Sequence, residues 1–167
     1  MKITLNPNAV PAEKRAALIA EGGFGKYYTD HMITCDWSES DGWSEPELVP
    51  YGPITLDPAT AVFHYGQEIF EGMKAYRQPD GSVALFRPEA NARRFASSAR
   101  RLALPEMPEE LFLETVNTLV KQDINWVPSQ VGESLYIRPF MIATEVGLGV
   151  RPSNKAKYIL IATPAGA

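Results

Sequence analysis

Between Phe63 and Arg77 the chain reads FHYGQEIFEGMKAYR, the densest run of residue types able to build a site. Phe63, Tyr65, Phe70 and Tyr76 supply rings for an apolar lining. Glu71 and Lys74 supply an acid and a base, although their spacing alone fits a surface pair better. Gly66 and Gly72 punctuate the run. Glycine reaches backbone conformations closed to other residues and leaves room for a neighbour, so each marks a turn or a close approach. A second set of candidates is Arg87, Arg93, Arg94, Arg100 and Arg101, in a chain whose net charge is −4. Arginine gives a planar, multi-donor grip on phosphate or carboxylate. A solvated helix face accounts for the same spacing. Other chemistries are poorly served. His31 and His64 have no ligand-like spacing to Cys or carboxylates, so no metal site is read. Cys35 is the only cysteine, and with no base assigned to activate it, it reads as an inert thiol. Gly147-Leu148-Gly149 lacks the third glycine of a dinucleotide loop and reads as a turn. The residues taken bottom-up support an aromatic-lined pocket near a bound anion.

The elements that must carry these residues follow from periodicity and punctuation. Met1 to Pro11 reads as an arm and Ala12 to Ile19 as a short helix. Gly22, Gly23 and Gly25 bracket Phe24, so a loop presents one ring. Tyr27 to Trp37 is rich in β-formers and reads as a strand. Ser38 to Pro58 reads as a connector, because its prolines forbid a long helix. Met73 onward is strand-like, turns at Gln78-Pro79-Asp80-Gly81 and returns over Val83 to Phe86. Pro88 opens a helix to Leu102, with Ala92, Phe95, Ala96, Ala99, Leu102 and Ala103 on one apolar face. A second helix runs from Pro108 to about Ile124, with Phe112, Val116, Leu119 and Val120 as its buried stripe. Ser134 to Thr144 reads as a strand that points Tyr136 and Arg138 to one face. Pro139 within it signals an edge, a bulge or a strand boundary. Glu145 to Val150 reads as a loop, with Lys155 and Lys157 in a charged loop before a last strand over Tyr158 to Thr163. The expected fold class is α+β: a mixed, largely antiparallel sheet with two helices packed on one face.

Size and composition set outer bounds. The 167 residues, 45% hydrophobic and 22% charged, suit one globular domain, or one domain with an arm. The net negative charge argues mildly against non-specific nucleic-acid binding. No apolar run approaches a membrane span and the first residues lack a signal-peptide core. With a lone cysteine, a cytoplasmic location is the default expectation.

The runs FHYGQEIFEGMKAYR, LFRPEANARRFASSARRL, LYIRPFMIATEVGLGV and LIATPAGA occur in this order, and FGKYYTDHMITCDW precedes them. Together they resemble the branched-chain amino acid aminotransferases, of the fold-type IV pyridoxal phosphate (PLP) enzymes. The resemblance covers roughly Phe24 to the end. It implies transfer of the amino group of L-leucine, L-isoleucine or L-valine to 2-oxoglutarate, with PLP as electron sink. It implies that Arg94, of the Asn91-x-x-Arg94 turn, holds the cofactor phosphate. It places Phe24, Tyr65, Phe70 and Tyr136 in the substrate pocket with Arg138, and gives Val150 to a partner subunit's pocket, so a homodimer is expected. Residues 1–22 are then an arm with a short helix, and 23–167 the small N-terminal domain of a two-domain enzyme. Family chains are longer, and their Schiff-base lysine is expected beyond Ala167. Lys74, Lys155 and Lys157 do not match its motif, so these residues alone are expected neither to transaminate nor to carry lysine-linked PLP. D-amino acid aminotransferases and aminodeoxychorismate lyases share the fold, and the FEGMKAY and LYIRP runs favour the branched-chain type. A non-catalytic binding or dimerisation module on the same fold is the reading from another class.

Overall fold

The two longest alternating runs become the centre of the molecule. In the computed structural model, which describes residues 1–167, the chain forms β1 (Lys2–Ile3), α1 (Ala12–Glu21), β2 (His31–Ser38), β3 (Gly42–Trp43), β4 (Glu47–Pro50) and α2 (Ala61–Tyr65). It continues through β5 (Glu68–Phe70), β6 (Met73–Arg77), β7 (Val83–Leu85), α3 (Pro88–Arg101), α4 (Glu109–Gln122), a 3-10 turn (Ile124–Trp126), β8 (Ser134–Ala143) and β9 (Lys155–Ala165). All strands join one nine-stranded sheet in the order β1-β4-β2-β9-β8-β6-β7, with β3 on β2 and β5 on β8. Every pairing is antiparallel except β1 with β4. The fold is therefore the mixed, largely antiparallel α+β arrangement expected. No helix is long and apolar enough to cross a membrane.

Alternation along β8 and β9 gives the sheet two unlike faces. Leu135, Ile137 and Met141 of β8, with Tyr158, Leu160 and Ala162 of β9, are buried in one hydrophobic cluster. That cluster includes Phe95 and Ala99 of α3 and Phe112, Val116 and Leu119 of α4. At its centre the Phe95 ring lies 5.4 Å from Phe112 and 5.8 Å, edge-on, from Tyr158. The Tyr158 hydroxyl is satisfied by Thr115 Oγ1 at 2.9 Å. Tyr136, Arg138 and Phe140 point the other way and stay half-buried. The helices thus cover one face of the sheet and leave the other open.

Several local expectations change. The strand expected from Tyr27 starts at His31. Tyr27 to Thr29 instead docks along β9, with Thr29 N–H donating to Ala162 O at 3.0 Å and Thr163 Oγ1 to Tyr27 O at 2.6 Å. The expected connector holds β3 and β4, both on β2. The arm is tied down, because Asn6 N–H donates to His31 Nε2 and Val10 N–H to Asp30 Oδ1, at 2.9 and 2.7 Å. Leu102 and Ala103 leave the α3 face: the helix ends at Arg101, Ala103 turns to φ 54°, and Leu104 takes the buried position. Lys155 and Lys157 lie within β9, where Lys157 pairs with Asp36 across the ladder at 2.6 Å.

Candidate functional site

Pro139 organises the site. It sits inside a central strand, neither at an edge nor at a boundary. The pairs Phe70 with Phe140 and Met73 with Ile137 keep one continuous register, so no residue is inserted either. Glu71 N–H donates to Pro139 O at 2.9 Å. The return bond is missing because proline has no N–H. This gap separates β5 from β6 and leaves Glu71-Gly72 in an otherwise regular strand. Alternation then sends Glu71 to the helix side and Gly72 to the open face.

Gly72 is the close approach its type suggested. A Cβ there would lie 2.3 Å from Tyr136 Oη. Gly66 is the turn, closing α2 in the left-handed region at φ 58°. Beside Gly72, Arg138 Nη2 donates to Tyr136 Oη at 2.9 Å. The same guanidinium stacks over the Phe70 ring at 4.4 Å. The Phe24 ring meets Tyr136 edge-on at 5.0 Å. Phe24, Tyr28, Tyr136, Arg138, Ile161 and Thr163 line a hollow of about 100 Å³. Four of the expected substrate residues, Phe24, Phe70, Tyr136 and Arg138, are therefore together on the open face. The loop carrying Phe24 is held where Gly166 N–H donates to Gly23 O at 3.0 Å.

Phe70, Tyr65 and Val150 are not among the residues lining that hollow, and Phe70 stands beside it through its contact with Arg138. The Tyr65 hydroxyl donates to Leu148 O, which ties α2 to the Gly147-Leu-Gly149 loop. Val150, at the end of this loop, is 84% exposed.

The arginines do not form one cluster. Successive helical positions point about 100° apart, and the side chains fan out accordingly. Arg93 reaches Glu109 at 3.4 Å and Arg100 reaches Glu106 at 2.8 Å, both on the surface. Arg94 alone meets a buried partner. Its Nε donates to Glu71 Oε1 at 2.6 Å and its Nη2 to Glu71 Oε2 at 2.9 Å. Asn91 Nδ2 adds a bond to Glu71 Oε2 at 2.9 Å and one to Gly72 O at 3.2 Å. Burial works to raise the Glu71 pKa, but the donors of Arg94, Asn91 and Gly72 together outweigh it and hold the carboxyl below its ordinary value. The Arg94 side chain is 69% exposed, opening to solvent and not into the aromatic hollow.

Glu71 and Lys74 are thus no surface pair. An odd spacing in a strand puts them on opposite faces, and Glu71 is 3% exposed. Glu71 and Tyr28 are the site members the sequence did not single out for these places. An acidic residue inside an alternating β-run, on the parity of the apolar positions, was the available signal for Glu71. The remaining candidates take structural places. Cys35 is buried, its thiol pushed up by that burial. His31 is buried against Asp123, its Nδ1 2.6 Å from Oδ1.

Comparison with known proteins adds the context. No protein-family model matches the chain. It is 60% identical over 168 residues to the probable branched-chain-amino-acid aminotransferase of Streptomyces coelicolor, which covers 99% of this chain and 46% of that protein. It is 58% identical over 170 residues to the branched-chain-amino-acid aminotransferase of Mycolicibacterium smegmatis, covering 100% of this chain and 46% of that protein. Among solved structures, the T.th. branched-chain amino acid aminotransferase with pyridoxamine 5'-phosphate superposes with a TM-score of 0.62 at 28% identity, over 80% of this chain and 40% of that one. The chain spans a little under half the length of the curated relatives it matches.

Proposed function

We infer, from a chain that in sequence and fold belongs with the branched-chain aminotransferases over the span it shares with them, that it supplies the substrate hollow and phosphate grip of a PLP-dependent transaminase. The substrates in this reading are L-leucine, L-isoleucine or L-valine, with 2-oxoglutarate as acceptor. One observation carries it: high identity to branched-chain aminotransferases runs along essentially the whole chain. The meeting of four expected pocket residues on one open face supports it.

The residues present fit such a cofactor. Arg94 is held by one edge on Glu71 and leaves its other edge to solvent, a geometry suited to a phosphate. PLP, when bound, supplies the electron sink for amino-group transfer. The chain's own work is to bind and orient. Phe24, Phe70 and Tyr136 present apolar rings to a branched aliphatic side chain, and burying each of its CH₂ groups is worth about 0.8 kcal/mol. Arg138, fixed by Tyr136 and Phe70, offers a cation to a substrate carboxylate. Val150, exposed on its loop, is assigned to the pocket of a second copy, so the active form is a homodimer. None of Lys74, Lys155 and Lys157 is assigned the cofactor lysine in this reading, and transamination is not expected of the 167 residues alone.

The test is the complete polypeptide with L-leucine and 2-oxoglutarate, D-alanine alongside, and the Arg94→Ala variant. Glutamate forms from L-leucine and not from D-alanine. Arg94→Ala weakens PLP retention by about 1.5–3 kcal/mol, the range for a charge-assisted contact. Turnover of D-alanine without L-leucine would transfer the reading to another fold-type IV enzyme. Unchanged retention would move the phosphate role elsewhere.

A further inference from the structure

Arginine pairs usually lie in solvent on both sides, and two on α3 do: Arg93 with Glu109 and Arg100 with Glu106, every side chain at least 39% exposed. The Arg94 pair is unlike them, with the cation 69% exposed and the carboxylate 3%. Glu71 is moreover fixed from several sides. Its own segment is pinned by the Glu71 N–H bond to Pro139 O, Asn91 Nδ2 donates to Oε2, and Gly72 N–H reaches Oε2 at 3.3 Å. A long, flexible cation is thus clamped to a buried anchor that is itself held by three hydrogen bonds. The clamp takes Nε and one donor of Nη2. The guanidinium keeps its end-on edge, formed by Nη1 and the remaining Nη2 donor, free and outward.

We propose that Glu71 is a positioning residue, whose buried carboxylate fixes Arg94 by its side edge so that the end-on edge is presented to the phosphate of the cofactor. The proposal rests on the reading of Arg94 as the phosphate grip, and it adds what makes that grip effective. An exposed arginine without the clamp loses rotamer freedom only when the anion arrives; with it, that cost is met on folding.

Two physical effects oppose each other here, which makes the idea sharp. A carboxylate beside the guanidinium also repels an incoming anion. If Coulomb repulsion dominated, removing the charge in Glu71→Gln would tighten phosphate binding. If positioning dominates, it loosens it. Since Glu71 holds the side edge of the guanidinium and leaves the end-on edge clear, and its carboxylate is also hydrogen-bonded by Asn91 and Gly72, positioning wins.

The experiment measures dissociation constants of PLP and of pyridoxal, which lacks the phosphate, for the complete polypeptide and its Glu71→Gln, Asn91→Ala and Arg94→Ala variants. Glu71→Gln is expected to weaken PLP about tenfold relative to pyridoxal. The double variant with Arg94→Ala is expected to discriminate no worse than Arg94→Ala alone. Asn91→Ala loosens the same anchor without touching its charge and gives a smaller loss of the same ratio, which keeps the test decisive if Glu71→Gln folds poorly. A PLP-to-pyridoxal ratio unchanged or raised in folded Glu71→Gln, or unchanged in Asn91→Ala, overturns the proposal while Arg94 keeps its role. A ratio unaffected by Arg94→Ala overturns the phosphate assignment itself and the proposal with it.

Discussion

A methyl group at position 72 has no space. It would sit 2.3 Å from Tyr136 Oη and 3.0 Å from Cζ, inside contact distance of a ring that is itself braced by Phe24 and Arg138. Gly72→Ala therefore drives the Tyr136 ring out of place. Overpacking of this kind costs about 1–3 kcal/mol, to be read from the urea midpoint. Because the displaced ring lines the hollow, the proposed function has KM for L-leucine rise in the complete polypeptide by more than stability alone explains. A variant with wild-type KM and stability would remove Gly72 from the site. This position was legible in the sequence as a turn or a close approach, of which the structure selects the second. Glu71, one residue before it, was not. Its burial depends on α3 lying above the strand, and nothing within the FHYGQEIFEGMKAYR run states which layer covers it.

The same division holds for elements. The β6–β7 hairpin, α3 and α4 were readable because their signals are local: a Pro-Asp-Gly turn, a proline at the helix start, apolar residues at helical spacing. β1, β3 and β4 were not, because strands of 2 to 4 residues have little pattern of their own and exist through bonds to neighbouring strands. Pro139 misled for a related reason. Proline is excluded from a central strand only where a partner awaits its N–H, and here the ladder is simply broken opposite it. Long-range polar links are equally silent in sequence. Asp123 follows α4 and is 3% exposed, yet accepts from His31 N–H at 3.0 Å and pairs with its Nδ1. His31 in turn accepts from Asn6 N–H. Asp123→Ala strands two buried donors, each worth about 1–3 kcal/mol when left unsatisfied. The expected result is a stability loss of that order in urea, with faster hydrogen exchange at the Asn6 amide as the arm loosens. Protection at Asn6 equal to wild type would show that the arm does not depend on the His31–Asp123 pair.

At the scale of the whole molecule, one sheet does two jobs on its two faces, and this separation can be measured. The covered face belongs to a single cluster that joins α3, α4, β8 and β9. Phe95 is fully buried in it, against Phe112 and Tyr158. Truncating such a ring removes its burial and leaves a cavity, and Phe95→Ala is expected to cost about 3–5 kcal/mol. Since the cluster is continuous, that loss lowers one unfolding transition and does not split it in two. Phe24 is the counterpart on the open face. It is 60% exposed and its ring contact is the edge-on meeting with Tyr136, a type worth about 0.5–1.5 kcal/mol. Phe24→Ala should therefore cost no more than that in stability, yet, if the proposed function holds, raise KM for L-leucine in the complete polypeptide. Urea unfolding of both variants, with kinetics of Phe24→Ala, decides the matter. Destabilisation by Phe24→Ala as large as that by Phe95→Ala would mean that the ring at position 24 is a packing element of the fold, and an unchanged KM for Phe24→Ala would mean that the hollow beside Tyr136 holds no substrate.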